Sequence, residues 1–211
     1  MSFTNKEGLS IVKDIIEAIQ KNRDYLSEID GAIGDGDHGI NMNKGFTMAL
    51  EELNDTDTMS SGFQTISKVL MSKIGGSMGP LYGNFFRGFY IVSKSEDTID
   101  GEVIGKMLDK AYNNITSISP AKVNDKTLID VLDPAIRAYH TEYQQTKETR
   151  KSLEALVDAS KLGLEATKQM IAKIGRASRL AERSIGHQDA GATSAQIILE
   201  TFATSIIQLL T

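Results

Sequence analysis

The chain has 211 residues, 40% of them hydrophobic, with 23 Lys and Arg against 28 Asp and Glu and a formal net charge of −5. A chain of this length can bury a substantial core as one domain, which we place at 1–211. The absence of cysteine excludes disulfides, thiolate-held metals and cysteine nucleophiles, so oxygen ligands or the three histidines must hold any metal. The acidic balance argues against direct nucleic-acid binding, which needs clustered Lys and Arg.

Apolar residues recur at helical spacing along most of the chain. The first predicted helix begins near Leu9, behind a capping box formed by Thr4 and Glu7. The same pattern predicts seven further helices, over 41–54, 62–73, 80–94, 99–117, 127–145, 150–172 and 191–210. Val and Ile do not alternate with polar residues, which argues against strands and a Rossmann sheet. The sequence therefore predicts an all-α fold of about eight helices.

No segment has the pattern of a membrane span. The most apolar stretch, 197–210, is broken by Glu200, Thr201 and Ser205. The amino terminus lacks a basic segment followed by an apolar run. We therefore expect a cytoplasmic protein that does not contact membranes and whose partners are small molecules or proteins.

Three glycine-rich segments, 33–41, 75–83 and 175–192, interrupt the helical pattern, and each directly precedes a predicted helix. Converging backbone N–H groups and the helix dipole make such a position a natural phosphate site. Close helix packing is an alternative explanation of the second segment. Arg176 could be an ordinary surface arginine and His187 a hydrogen-bonded structural residue, while His140 carries no functional signal.

The first segment has an unusual density of carboxylates, contributed by Asp30, Asp35 and Asp37. They would repel one another unless a cation neutralised them, and hard oxygen ligands suit Mg²⁺ or Ca²⁺. An EF-hand is excluded because Ile40 and Phe46 occupy the positions of its required glycine and glutamate. A Walker A loop is excluded because no Gly-Lys-Ser/Thr follows the glycines. Helix capping alone explains one carboxylate but not three.

The motifs together resemble one known family. They are Gly34-Asp-Gly-Asp-His-Gly39, Gly76-Ser-Met-Gly-Pro-Leu-Tyr-Gly83, Asp125-Lys-Thr-Leu128, and Gly175-Arg-Ala-Ser178 followed by Glu182-Arg-Ser-Ile-Gly-His-Gln-Asp189. In order and spacing they are similar to the DhaL family, the ADP-binding subunits of phosphotransferase-system-dependent dihydroxyacetone kinase. They also resemble the carboxy-terminal domain of single-chain dihydroxyacetone kinases. The resemblance spans nearly the whole chain.

This resemblance implies an eight-helix antiparallel barrel with ADP and two Mg²⁺ ions at one end. Asp30, Asp35 and Asp37 would hold the metal. The nucleotide would contact a larger set of positions: His38, Gly39, Ile40, Asn41, Ser77, Met78, Ser119, Leu128, Arg176, Asp189, Ala190 and Gly191. No residue of this chain would act as a protein nucleophile. Ala190 departs from the Asp-Pro-Gly of many relatives, and Ser119-Pro120 replaces a glycine-containing segment.

The resemblance also implies a phosphotransferase that works only with partner subunits. ADP stays bound, a phosphohistidine on a phosphotransferase-system subunit phosphorylates it, and the ATP formed passes its γ-phosphoryl group to dihydroxyacetone on a substrate-binding subunit. The chain length favours this form over a single-chain kinase. Two alternatives stay open: an ATP-exchanging subunit for another small acceptor, and a nucleotide-loaded module that docks on a transcription regulator. Self-association as a homodimer also stays open.

Overall fold

The computed structural model describes residues 1–210. Nine α-helices occupy most of this part of the chain: α1 (Leu9–Lys21), α2 (Arg23–Ile33), α3 (His38–Glu52), α4 (Met59–Lys73), α5 (Met78–Ser93), α6 (Gly101–Thr116), α7 (Ile129–Thr146), α8 (Thr149–Ala166) and α9 (Ala190–Leu209). The one sheet in the described residues is an antiparallel pair of two-residue strands, β1 (Phe3–Thr4) and β2 (Thr98–Ile99). Two 3-10 segments, Thr167–Gln169 and Arg176–Ser184, lie between α8 and α9. The predicted all-α class is confirmed.

Eight of the helices form a closed ring. Helix α1 packs on α3, each helix from α3 to α8 packs on the next along the chain, and α9 returns to α1. Most neighbours are joined by short connections, which favours opposite directions for successive helices. Helix α2 is an additional element that packs against α3 and α9. The architecture is therefore the antiparallel eight-helix barrel that the family resemblance implies, with one added helix.

Helix α2 is the one α-helix of the described chain that the sequence analysis does not predict. A single residue, Asn22, separates it from α1, and α2 buries only Leu26 and Ile33. These are too few apolar residues for a helical stripe to be visible in the sequence. The predicted segment 150–172 is also too long, because α8 ends at Ala166 and the chain continues as a 3-10 turn.

Aromatic side chains fill the centre of the ring. Phe46, Phe63, Phe86, Phe89 and Phe202 are fully buried and come from α3, α4, α5 and α9. The centroids of neighbouring rings are 4.8 to 6.5 Å apart. Aromatic pairs at such separations stabilise the core beyond the area that each ring buries. This core fixes the relative positions of the helix ends.

Alternate helices of an antiparallel ring run in the same direction. In ring order these alternate members are α3, α5, α7 and α9, and all four begin at the same end of the barrel. None of the helices within residues 1–210 is long and apolar enough to cross a membrane.

Candidate functional site

A cavity of about 220 Å³ lies at the end of the barrel where these four helices begin. His38, Met78 and Ala190 are the first residues of α3, α5 and α9, Leu128 directly precedes α7, and all four line the cavity. The positive ends of four helix dipoles therefore face the same space. This arrangement favours an anionic ligand.

Three carboxylates gather beside these helix ends. One oxygen each from Asp30, Asp35 and Asp37 lies within 4.8 Å of the others. Asp30 belongs to the last turn of α2, and the other two belong to the loop before α3. Hard oxygen ligands at this spacing suit Mg²⁺ or Ca²⁺, and Mg²⁺ usually shares its coordination shell with water and phosphate. The residues present therefore fit a divalent cation bound beside an anionic ligand.

The loop before α3 turns sharply to bring the carboxylates together. Gly36 has φ of 76°, a left-handed conformation that glycine adopts without steric cost. The backbone N–H of His38 donates to Asp30 Oδ2 at 3.3 Å, which links the end of α2 to the start of α3. Gly39 lies directly against α2, because a Cβ at this position would overlap the backbone oxygen of Arg23. Gly36 and Gly39 are therefore required by the conformation and close approach of the backbone at these positions.

Arg176 reaches the carboxylates from the connection between α8 and α9. Its Nη1 lies 2.8 Å from Asp35 Oδ2, while 63% of the arginine side chain stays exposed. Solvent screens such a pair, so it adds little to stability. The guanidinium nevertheless lies at the cavity wall, where it can also bind an anionic ligand.

Lys126 is a cavity residue that the sequence analysis does not propose. Its side chain is almost fully buried, and its Nζ donates to the backbone oxygens of Met170, Ser184 and His187 at 3.3, 2.6 and 2.7 Å. Burial lowers the pKa of this ammonium group, and the nearby carboxylate of Asp189 acts in the opposite direction. Lys126 therefore links the loop before α7 to the connection between α8 and α9, which contains Arg176.

Asp189 caps α9. Its Oδ2 accepts a hydrogen bond from the backbone N–H of Ala192 at 2.7 Å. Burial raises the pKa of this carboxyl to about 6, although that hydrogen bond and Lys126 act against the shift. The cap is formed with Ala190 in place of the proline of many relatives.

Ser194 and Tyr82 form a hydrogen-bonded pair that contacts the imidazole of His38. Its Nε2 lies 2.8 Å from Ser194 Oγ, which in turn lies 2.5 Å from the Tyr82 hydroxyl. Burial lowers the pKa of His38, although Asp30 and Asp37 act in the opposite direction. Burial raises the pKa of the Tyr82 hydroxyl.

Most of the predicted site residues meet in this cavity. Eleven of the fifteen line it: Asp30, Asp35, Asp37, His38, Ser77, Met78, Leu128, Arg176, Asp189, Ala190 and Gly191. Residues that the sequence analysis did not propose also line it: Ile33, Gly34, Leu81, Tyr82, Lys126, Thr127, Ile174, Gly175 and Ala177. Most of these belong to the quoted motifs, which are therefore the signal that could have identified them.

The other four predicted residues do not line the cavity. Gly39, Ile40 and Asn41 belong to the first turn of α3. The N–H of Asn41 donates to the Asp37 oxygen at 2.9 Å, whereas those of Gly39 and Ile40 precede the first acceptor within the helix. Ile40 is 57% exposed. Ser119 lies in the loop after α6, where its Oγ accepts from the N–H of Ala121 at 3.2 Å. Ligand contact by any of the fifteen stays a prediction.

A larger groove of about 420 Å³ lies between α6 and α7. Its lining includes neither the carboxylate cluster nor the first residues of α3, α5 and α9. Its Arg137 and His140 pair with Asp133 and Asp109, each at 2.7 Å. The polar side chains Asp109, Asp133, Arg137 and His140 of this groove are thus paired with one another. None of the predicted site residues lines it.

The fold and the cavity together define a helical-barrel domain suited to binding an anion with a cation. The DAK2 domain matches residues 32–204. The chain is 36% identical to the ADP-binding subunit DhaL of PEP-dependent dihydroxyacetone kinase 1 from Listeria innocua, over 94% of this chain and 95% of that protein. It is 39% identical to the DhaL subunit of the PTS-dependent kinase from Lactococcus lactis, over 88% of this chain and 89% of that protein. The chain belongs to the DAK2 domain family.

The fold is also that of a larger solved protein. The crystal structure of the dihydroxyacetone kinase of C. freundii matches with a TM-score of 0.71 at 22% identity. The match covers 94% of this chain and 34% of that chain, so this chain spans about a third of the kinase. The predicted barrel is therefore confirmed.

Proposed function

We propose that the chain is the nucleotide-binding subunit of a dihydroxyacetone kinase and that its cavity holds ADP with two Mg²⁺ ions. The observation that carries the proposal is the convergence of four helix amino termini, three clustered carboxylates and Arg176 on one cavity. Phosphates suit the helix ends and the guanidinium. Divalent cations suit the carboxylates and offset the charge of the phosphates.

The roles of the residues follow from their place in the cavity. Asp30, Asp35 and Asp37 would hold the cations, which when bound neutralise charge on the phosphates. The amino-terminal turns of α3 and α5 would bind the phosphates through backbone N–H groups. Leu128 presents an apolar side chain at the cavity wall, where it can contact the base. The matches to relatives named ADP-binding subunits support this assignment.

Phosphoryl transfer at this site needs alignment and charge stabilisation more than a protein nucleophile. A phosphohistidine on a partner subunit would break its P–N bond as a β-phosphate oxygen of ADP forms the new P–O bond. The ATP so formed would transfer its γ-phosphoryl group to a hydroxyl of dihydroxyacetone, which restores ADP. This chain would hold and orient the nucleotide in both steps, while Arg176 stabilises negative charge on the transferred group.

The acceptor would be bound by the partner subunit and not by this chain. Relatives named D-erythrulose kinase, from Mycolicibacterium smegmatis, and L-erythrulose kinase, from Pectobacterium atrosepticum, are 31% and 33% identical to it. The chain covers only 33% of each, and their names differ in the acceptor sugar. An ATP-exchanging subunit for another ketose is therefore the second candidate function.

The first experiment identifies what the purified chain carries. The protein is purified without added nucleotide and denatured, and the released material is analysed by ion-exchange chromatography and mass spectrometry. Near-stoichiometric ADP supports a resident coenzyme and a phosphohistidine donor. An empty chain that binds ATP reversibly supports the second candidate. A chain that binds neither nucleotide with Mg²⁺ overturns both.

A pair of matched variants tests the cation site. Asp37→Asn should weaken Mg²⁺-dependent ADP binding at least tenfold in calorimetry, because the carboxylate cluster loses one of its three members. The control is Asp24→Asn, an exposed aspartate on α2 that pairs with Arg23 outside the cavity. Equal ADP affinity in the two variants would contradict the assignment. The chain alone should not phosphorylate dihydroxyacetone with ATP, whereas addition of both the substrate-binding subunit and the phosphohistidine-carrying subunit should give turnover.

A further inference from the structure

Three helices of the barrel meet at one serine oxygen beside the cavity. His38 begins α3, Tyr82 belongs to α5 and Ser194 to α9, and all three side chains are buried. We propose that Tyr82 and Ser194 are positioning residues, which hold His38 with its Nε2–H toward Ser194 and its Nδ1 toward the ligand. The proposal rests on the function proposed above in taking that ligand to be the nucleotide with its cation.

The number of available hydrogens fixes the direction of these bonds. Tyr82 has one hydroxyl hydrogen, and the Gly191 carbonyl oxygen, 3.0 Å away, can only accept it. The 2.5 Å contact between the two hydroxyls then uses the hydrogen of Ser194. Ser194 Oγ can therefore only accept from His38 Nε2, and this is the direction that makes all three contacts at once. If Ser194 donates instead to the Ala190 oxygen, 3.1 Å away, Nε2 is still the donor.

The second ring nitrogen of His38, Nδ1, is left free for a ligand. Within residues 1–210, Nδ1 has no hydrogen-bond partner. It is not a buried atom, because the one buried side-chain N or O atom without a partner in this part of the chain is Ser27 Oγ. Nδ1 is therefore accessible to solvent, and His38 lines the cavity wall. A neutral ring protonated at Nε2 offers an acceptor at Nδ1. Such an acceptor suits an O–H donor, such as cation-bound water or a nucleotide hydroxyl, better than a phosphate oxygen, which has no hydrogen to donate.

Tyr82 acts on the ligand through its neighbours. Its hydroxyl is occupied by Gly191 and Ser194, both on α9, so it has no free hydrogen to offer the cavity. The pair therefore fixes the start of α3 against α9 and sets which nitrogen of His38 the ligand meets. Loss of the Ser194 hydroxyl leaves Nε2 without its acceptor. Loss of the Tyr82 hydroxyl leaves that acceptor free to rotate.

Nuclear magnetic resonance reads this arrangement directly. The chain has three histidines, and the double variant His140→Gln, His187→Gln leaves only His38. Long-range ¹⁵N–¹H correlation spectra are recorded on this chain with and without ADP and Mg²⁺. We expect the hydrogen on Nε2 in both samples. A ring that carries its hydrogen on Nδ1 and has a bare Nε2 would overturn the proposal, whether or not any further variant folds.

The variants Tyr82→Phe and Ser194→Ala test the effect on the ligand. Each should weaken ADP binding in the presence of Mg²⁺ about tenfold, the usual effect of losing a buried hydrogen bond, and should change the His38 ¹⁵N shifts. The matched control is Tyr139→Phe, because the buried Tyr139 hydroxyl also donates to a backbone oxygen, that of Gly101 at 2.7 Å, outside the cavity. It should leave the affinity within twofold and the His38 spectrum unchanged.

The outcomes separate this proposal from the function on which it rests. If the unsubstituted chain binds no nucleotide, the proposed function fails. If it binds nucleotide and both variants match Tyr139→Phe in affinity, only the positioning role fails. A loss of affinity with an unchanged His38 spectrum also overturns the positioning role, because the effect then does not pass through the imidazole.

Discussion

The Nη1 atom of Arg176 lies 2.8 Å from Asp35 Oδ2, so the guanidinium of a distant segment contacts the carboxylate cluster. Asp35 is also one of the three carboxylates that fit a divalent cation. Arg176 and a bound cation therefore compete for the same side chain. Cation binding at Asp35 would release the guanidinium to the anionic ligand.

Replacement of Arg176 should affect the affinity for Mg²⁺ and the affinity for ADP differently. In Arg176→Gln we expect Mg²⁺ alone to bind at least as tightly as in the unsubstituted chain, because a competing cation is gone. ADP with Mg²⁺ should bind about tenfold more weakly, and phosphoryl transfer with the partner subunits should fall about a hundredfold or more. Calorimetry measures both affinities, and a coupled assay measures the transfer.

The control for this prediction is Arg179→Gln, an arginine of the same 3-10 segment that does not line the cavity. It should resemble the unsubstituted chain in all three measurements. A parallel loss of Mg²⁺ and ADP affinity in Arg176→Gln would contradict the competition.

Lys126 should matter for both stability and the order of the segment that carries Arg176. Lys126→Met removes the donor to three backbone oxygens and leaves them buried without it. We expect the free energy of unfolding to fall by about 2–4 kcal/mol, measured by urea denaturation. Trypsin should cleave the segment Arg176–Ser184 faster in the folded variant.

Lys122→Met is the matched control for Lys126→Met, because Lys122 lies in the same loop with an exposed side chain. It should change the free energy of unfolding by no more than about 0.5 kcal/mol. Equal rates of cleavage in the two variants would show that Lys126 does not fasten the segment.

The sequence predicts the barrel well because each ring helix has an apolar stripe. In α1, for example, Val12, Ile15, Ile16 and Ile19 recur at helical spacing, and all are fully buried. The carboxylate cluster is equally visible, because three aspartates among glycines have no explanation in helix packing. Helix α2 is not visible, since it is half exposed and depends on its contacts with α3 and α9.

The residues that support the site could not be predicted in the same way. A lysine next to an aspartate is usually exposed, and Lys126 is buried only because distant carbonyl oxygens converge on it. Tyr82 and Ser194 have the spacing of ordinary core residues. Their partnership depends on the approach of α5 to α9 beside α3, which no local pattern records.

The free energy of unfolding should depend on pH through the raised pKa of the Asp189 carboxyl. Its carboxyl has a pKa raised from 3.8 to about 6 in the folded chain, chiefly through burial. A raised pKa gives a contribution to stability that is complete below the unfolded value and is lost as the pH rises through the folded value. The stability of the unsubstituted chain relative to Asp189→Asn should therefore fall between about pH 4 and pH 7. We expect a change of roughly 1–2 kcal/mol, because Asp189 is half-buried and solvent screens part of the effect.

This difference is measured by urea denaturation at several pH values without nucleotide or divalent cation. Asparagine keeps an oxygen that can accept from the N–H of Ala192, so the helix cap is retained. The reference is Asp100→Asn, the same substitution at the N-cap of α6. A relative stability of Asp189→Asn that does not change with pH would contradict the raised pKa.

Gly39 should be required for the contact between α2 and α3. A Cβ at this position would overlap the backbone oxygen of Arg23 and lie 2.8 Å from the backbone nitrogen of Ser27. Because backbone atoms cannot rotate away, Gly39→Ala should force the helices apart and lower the free energy of unfolding by about 1–3 kcal/mol. It should also weaken binding of Mg²⁺, since Asp30 at the end of α2 would move relative to Asp37. The control is Gly75→Ala, where a Cβ meets nothing within 4 Å. Equal stability and equal Mg²⁺ affinity in the two variants would show that α2 can shift without disturbing the carboxylates.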